Sequence, residues 1–304
     1  MAAITAAMVK ELRESTGAGM MECKKALTEA DGDMEAAVDV LRKSGAAKVE
    51  KKAGRIAAEG ITRVAYEGNT AVVVEVNSET DFVAKNDTFR EFVEAVATQA
   101  VNSDAADMDA FMAEKWNQDN SITVKEALVA QIAKIGENLN IRRFEKVVAD
   151  NGCVVSYTHG GGRIGVIVEA ETDVVNDAIK EAMTNVAMQI ADLNTPYLNE
   201  SEVPAEIIEH EKEVMRQQVI NEGKPEQIAD KIVMGKIGKF YKENCLLDQE
   251  FVKDNKINIK QYTQNTAKEL GGSIEIKKFV RFEKGEGIEK RQDDFAAEVA
   301  SMVK

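Results

Sequence analysis

The chain has 304 residues, 44% of them hydrophobic, and a formal net charge of −14. That length suggests two domains, or one large domain with appendages, with enough apolar content for a core that needs no staples. The acidic balance argues against general nucleic-acid binding; three scattered cysteines (Cys23, Cys153, Cys245) fit a reducing cytoplasm rather than a disulfide framework; and no run of about 18 apolar residues or leader pattern points to a membrane.

Residues 4–45 predict three short helices. Val9 and Leu12 mark the first, which Gly17-Ala18-Gly19 stops because glycine accepts left-handed backbone at little cost. Met20 and Met21 open the second, with Ala26 and Leu27 inward. Asp31-Gly32-Asp33 turns the chain and caps the third, whose core residues are Val38 and Leu41. Two adjacent methionines cannot both point inward on a helix, so the pair fits either a core gap or an adaptable contact surface. Residues 1–55 hold ten Lys or Arg against nine Asp or Glu, so the acidic charge belongs to the rest of the chain. A basic linker (Lys48, Lys51, Lys52, Arg55) leaves this head, and an acidic protein surface or a helix end is its expected target.

The β-branched run Ala71–Val76 then predicts a strand, ended by Asn77-Ser78-Glu79 and followed by Thr80-Asp81-Phe82-Val83. Two readings of Phe82 compete. Phe82, Phe89 and Val96 recur every seven residues, as a core face would. Lys85-Asn86-Asp87 interrupts that helix, however, and leaves Phe82 beyond a turn, where it could be offered to a partner.

The stretch from Val72 to Asp81 resembles Gly165 to Asp173, each preceded by a glycine turn and followed by an amphipathic helix, near 88–101 and 176–192. Arg143-Phe144-Glu145-Lys146 echoes Arg281-Phe282-Glu283-Lys284 at a longer offset, so the second copy should carry an insertion. A helical hairpin from Pro204 fills that role. Ile207, Ile208, Val214, Met215 and Val219 line one helix, Glu222–Pro225 turns, and Ile228, Ile232 and Ile237 line the other. The hairpin either projects, offering its seam for self-association as a homodimer or for partner docking, or folds back on its own body. The acidic stretch from Asn102 to Ser121 reads as a surface excursion held down by Trp116, Lys134–Asn138 ends a helix, and an amphipathic tail from Asp293 follows a glycine hinge at Gly285 and Gly287.

Chemistry is sparse. Gly160–Gly165 has the spacing G-x-G-x-x-G, but a strand follows where a dinucleotide site needs a helix, so a hairpin turn is the better reading. His159 and His210 lack metal-ligand spacing, and His159 beside the turn suits a surface residue or a partner contact. No nucleophile has a base beside it.

Together the pieces resemble the translation elongation factor Ts family. The likeness rests on Leu12–Leu27, Thr80–Lys85, Lys134–Asn138, His159 with Arg163–Val166, and Gly285–Lys290. It implies an α+β fold with a ubiquitin-associated-like three-helix head (1–55), a two-subdomain core (56–150, then 151–203 with 241–284), a coiled-coil hairpin (204–240) and a C-terminal module (285–304). It further implies guanine nucleotide exchange on cytoplasmic elongation factor Tu, in its GDP-bound and nucleotide-free forms. In that family the segment matching Thr80, Asp81, Phe82 and Val83 inserts between helices of the GTPase and dislodges its Mg²⁺, and Met20, Met21, Lys24, Lys52, Ile135 and His159 become candidate contacts. No cofactor, direct nucleic-acid contact or covalent chemistry is implied. The rival readings are an adaptor holding ubiquitin-like or chaperone clients through the head, and a dinucleotide enzyme using Gly160–Gly165.

Overall fold

The computed structural model describes residues 4–289, a mixture of helices and strands. Two compact units divide them, the first taking 4–65, 74–144 and 282–289, the second 66–73 and 145–281. The tail from Asp293 lies outside the described residues.

The first unit opens with α1 (Ala6–Thr16), α2 (Met20–Glu29) and α3 (Met34–Lys52). Thr5 and Asp33 cap α1 and α3 through their side chains, as short polar residues at a helix start do. Leu12, Cys23, Ala26, Leu27 and Ala37 form the small core among the three helices. Helix α3 runs to Lys52, so Lys48, Lys51 and Lys52 of the stretch read from sequence as a basic linker are helical, and Arg55 lies beyond the helix end. Helix α3 packs against the later helix α7 (Val124–Ile135), and a Cβ added at Gly45 would make ordinary contact with Val129 at 3.7 Å and Ala133 at 3.8 Å.

Strands β1 (Glu59–Glu67) and β2 (Thr70–Ser78) form a hairpin. After β2 come a single turn, α4 (Asp81–Ala84), and the long α5 (Asp87–Asn102). Helix α6 (Met108–Ala113), the ribbon β3 (Lys115–Trp116) and β4 (Asp119–Thr123), α7 and β5 (Asn140–Val148) complete the first copy. The excursion is therefore ordered structure, with Phe111 fully buried 4.9 Å from Phe144 and Trp116 against Phe92 at 5.8 Å.

In the second unit β6 (Gly152–His159) pairs antiparallel with β7 (Ile164–Glu171), His159 opposite Ile164 across the glycine turn. Helix α8 (Asp177–Leu193) packs on both strands around Val166, Val168, Met183, Val186 and Ile190. The hairpin α9 (Ala205–Asn221) and α10 (Glu226–Asn244) follows, then β8 (Glu250–Phe251), β9 (Asp254–Asn258), α11 (Ile259–Leu270) and β10 (Glu275–Glu283). The two larger sheets have the orders β1-β2-β5 and β10-β7-β6. On α10 the buried stripe is Ala229, Val233 and Ile237, four residues apart, while Ile228 is exposed, contrary to the seam expected from sequence.

The duplication is real in the hydrogen bonds, but its register differs from the sequence echoes. Ser78 Oγ donates to the Thr80 carbonyl as Thr172 Oγ1 does to Val174, a spacing of 94 (78 to 172, 80 to 174). The Thr-Asp pairs that looked equivalent, 80–81 and 172–173, are thus two residues out of step. Capping boxes at Thr123 and Asn258 set a later spacing of 135, so the Arg-Phe-Glu-Lys echo at 138 is coincidence. Gln99 binds Glu114 15 residues on, and its counterpart Gln189 binds Gln249 60 residues on, the hairpin filling the difference.

One buried carboxylate fastens the end of the described chain. Glu75 on β2 is fully buried and accepts from Asn77 Nδ2 (3.0 Å), Arg142 Nη1 (3.0 Å), Arg143 Nε (2.6 Å) and the Gly285 amide (2.7 Å). Burial pushes its pKa up, and the hydrogen bonds from Asn77, Gly285, Arg143 and Arg142 outweigh that and hold it below the ordinary value. Gly285 has φ +69°, and an added Cβ would meet the Ala58 carbonyl oxygen at 2.1 Å, so the expected hinge is a locked contact. Removing one partner of a buried ion pair costs about 3 kcal/mol or more. Glu75→Gln should therefore be about that much less stable by urea unfolding at neutral pH. Because the folded pKa is lowered, this contribution is complete above 4.5 and is lost as pH falls through the lower folded value. The gap between wild type and variant should narrow in acid; a constant gap contradicts the assignment.

Candidate functional site

Thr80, Asp81, Phe82 and Val83 form the turn that joins β2 to α5. Thr80 caps it, Oγ1 accepting from the Val83 amide at 3.3 Å, and Asn86 caps the next helix at Phe89, so two caps in seven residues force the chain to stop and restart. The restart decides the fate of the aromatic spacing. Phe89 and Val96 are completely buried, whereas Phe82 stands 81% exposed. The core reading of Phe82 fails, since α4 is not the start of α5.

The base of the turn is held by polar contacts. Glu137 accepts from the Glu79 amide (3.1 Å), the Thr80 amide (3.1 Å) and Thr80 Oγ1 (2.6 Å). Glu79 in return accepts from the Asn138 amide at 2.6 Å, and Asn138 Nδ2 donates to the Arg55 carbonyl at 2.8 Å. Lys52 Nζ donates to the Gly136 carbonyl at 2.6 Å. Gly136 supplies the left-handed C-cap (φ +90°) that turns the chain out of α7 and aims Glu137 back at β2. Asp81 pairs with Lys85 at 2.6 Å, and that hydrogen bond holds its carboxyl below the usual range.

The structure thus brings Lys52 and the segment after half-buried Ile135 to the Thr80–Val83 turn. Met20 and Met21 are 58% and 75% exposed on α2, so neither fills a core gap, and Lys24 is exposed on the same helix. His159 belongs to the second unit, exposed at the end of β6, its Nδ1 3.1 Å from Tyr157 Oη. Sequence reasoning passed over Glu79, Glu137 and Asn138 as individuals; the acid directly after a helix-ending glycine was the available signal. Among the described residues no cluster of His, Cys, Asp and Glu could hold a metal ion, and no helix is long and apolar enough to cross a membrane. All three cysteines are buried and unbridged, with burial pushing the Cys245 thiol to about 11.

The described residues thus form a duplicated α+β scaffold with a helical head, an inserted helical hairpin and, on a capped turn, the strongly exposed aromatic ring of Phe82. The family described as Elongation factor TS matches residues 79–286, a span that begins at Glu79 and ends just after the Gly285 amide that binds Glu75. The chain is 51% identical to Elongation factor Ts of Clostridium novyi, with 97% of each chain covered, 52% identical to that of Clostridioides difficile over the whole of both, and 50% identical to that of Clostridium tetani over 99% of each. The chain belongs to the elongation factor Ts family, translation elongation factors of protein biosynthesis.

The exposure of Phe82 makes a sharp contrast with Phe89. Phe82→Ala should change unfolding free energy by less than about 0.5 kcal/mol, as surface substitutions do, while Phe89→Ala should cost about 3–5 kcal/mol. Equal losses in urea titration would mean that Phe82 is part of the core.

Proposed function

We propose that the protein is the guanine nucleotide exchange factor of elongation factor Tu. It binds the GDP-bound GTPase, displaces its Mg²⁺ through Thr80–Val83 and releases GDP so that GTP can bind. The observation that carries this reading is an aromatic ring kept in water on a backbone fixed from behind. Membership of the elongation factor Ts family supports the choice of partner.

The mechanism needs no bond-making. In a P-loop GTPase the metal bridges the phosphates and is held by a Ser/Thr hydroxyl and an Asp. Inserting Phe82 between helices beside that site moves a ligand, and the nucleotide loses its hold. Coupling is reciprocal, so whatever weakens GDP is weakened by GDP in turn. Burying one Phe contributes about 1.5–3 kcal/mol, roughly ten- to a hundredfold. That is too little to offset tight nucleotide binding alone, and a wide interface must supply the rest. Met20, Met21 and Lys24 on the head, assigned residues 1–55 and a ubiquitin-associated-like fold, are its natural first part. Lys52 and Ile135 near the turn are its second, and His159 on the second copy of the core its third.

The remaining layout we propose is a core of 56–150 and of 151–203 with 241–284, a coiled-coil hairpin at 204–240 and a C-terminal module at 285–304. On the hairpin Val214, Ile228 and Met234 are left exposed, which suits self-association; a light-scattering mass that stays monomeric at every concentration would contradict that role.

In stopped-flow release of fluorescent GDP from elongation factor Tu, Phe82→Ala should slow the stimulated rate roughly ten- to a hundredfold. Asp81→Ala should slow it less. The pair Met20→Ala with Met21→Ala should weaken affinity in calorimetry. A wild-type release rate for Phe82→Ala removes the ring from the mechanism.

A further inference from the structure

We infer that Glu137 is a positioning residue for exchange, fixing the Phe82 turn in its presented form before the partner arrives. The inference rests on the exchange reading above and deepens it.

The two copies of the core provide an internal comparison. In register, Glu79 corresponds to Asp173, since Asn138 and Ser273, 135 apart, donate backbone amides to them at the same 2.6 Å. The helix caps Asn86 and Asn176 also correspond. Between these fixed points the first copy has six residues, 80–85, and the second has two, 174–175. The excess of four is one helical turn, and it is α4 with Phe82 on it. At the position of Glu137 the second copy has Gly272, where an added Cβ would already meet Asp173 Oδ1 at 2.6 Å. The copy with the extra turn has the clamp; in the copy without it, a side chain at that position would have to displace Asp173 and Val174.

The contacts explain why a clamp accompanies the turn. A four-residue helix fixes more backbone than its own hydrogen bonds repay, and Phe82 lends it no burial. Glu137 takes two backbone amides and one hydroxyl at its first residues, charge-assisted contacts that hold the entry fixed. Without them the turn samples other conformations, and apparent affinity for the partner falls in proportion to the fraction still presented.

The test is a double-mutant cycle on full-length protein, read by fluorescent-GDP release from elongation factor Tu, with circular dichroism confirming each fold. Glu137→Ala should slow stimulated release roughly tenfold if about a tenth of turns remain presented. In the Phe82→Ala background the slowing should shrink to no more than that of Asp81→Ala, because Glu137 acts through the turn that carries both side chains. Hydrogen exchange at the Glu79 and Thr80 amides should quicken in both backgrounds. If Glu137→Ala unfolds, Glu137→Gln, which keeps one acceptor oxygen, takes its place with a smaller slowing and the same lack of additivity. A slow Phe82→Ala beside a Glu137 variant at the wild-type rate overturns the positioning role alone, as does a Glu137 effect that multiplies with that of Phe82. A Phe82→Ala variant at the wild-type rate defeats the exchange site itself, and the positioning role with it.

Discussion

The carboxylate of Glu137 holds what the apolar core cannot. An aromatic ring left in water contributes no burial to its own position, so its backbone has to be fixed by polar contacts. Three hydrogen bonds to one charged group, each worth about 1.5–3 kcal/mol where a neutral pair gives less, fall on the first residues of a turn too short to hold itself. The same small region gathers segments distant in sequence. Lys52 at the end of α3 binds the Gly136 carbonyl, and Asn138 reaches the Arg55 backbone. The end of the helical head, the turn and the exit of α7 are thereby one polar cluster.

Glu75 does comparable work further along β2, at the opposite extreme of exposure. Its carboxylate is fully buried and stays ionised because two arginines, an amide side chain and a backbone amide surround it. Arg143 also lies over the Phe282 ring at 4.1 Å, and Arg142 reaches the Glu286 carbonyl at 2.5 Å. Strand β2 therefore carries both a buried acid that ties down residues 282–287 and, past its end, the turn that presents Phe82. Its inner residues, Ala71 to Val74, are wholly buried.

Much of this was legible in the sequence, for physical reasons that differ by element. The three head helices and the hairpin α9–α10 follow from caps, glycine stops and proline starts, which are local signals. Asn86 as a helix start, and hence the break that separates Phe82 from Phe89, was readable for the same reason. Register was not. Repeated Thr-Asp and Arg-Phe-Glu-Lys strings looked like equivalent positions, yet equivalence is set by which groups bond, and Ser78 matches Thr172 while Thr80 matches Val174. Gly285 read as a hinge because sequence shows glycine's freedom and hides the Ala58 carbonyl that requires it. Glu137 escaped notice because its partners lie 57 and 58 residues away.

The most direct measurement is release of fluorescent GDP from elongation factor Tu with and without this protein. Release should be fast with wild type and roughly ten- to a hundredfold slower with Phe82→Ala, the two proteins being equally stable. Release that the wild-type protein fails to accelerate, or that proceeds equally fast without the ring, would contradict the proposed exchange role.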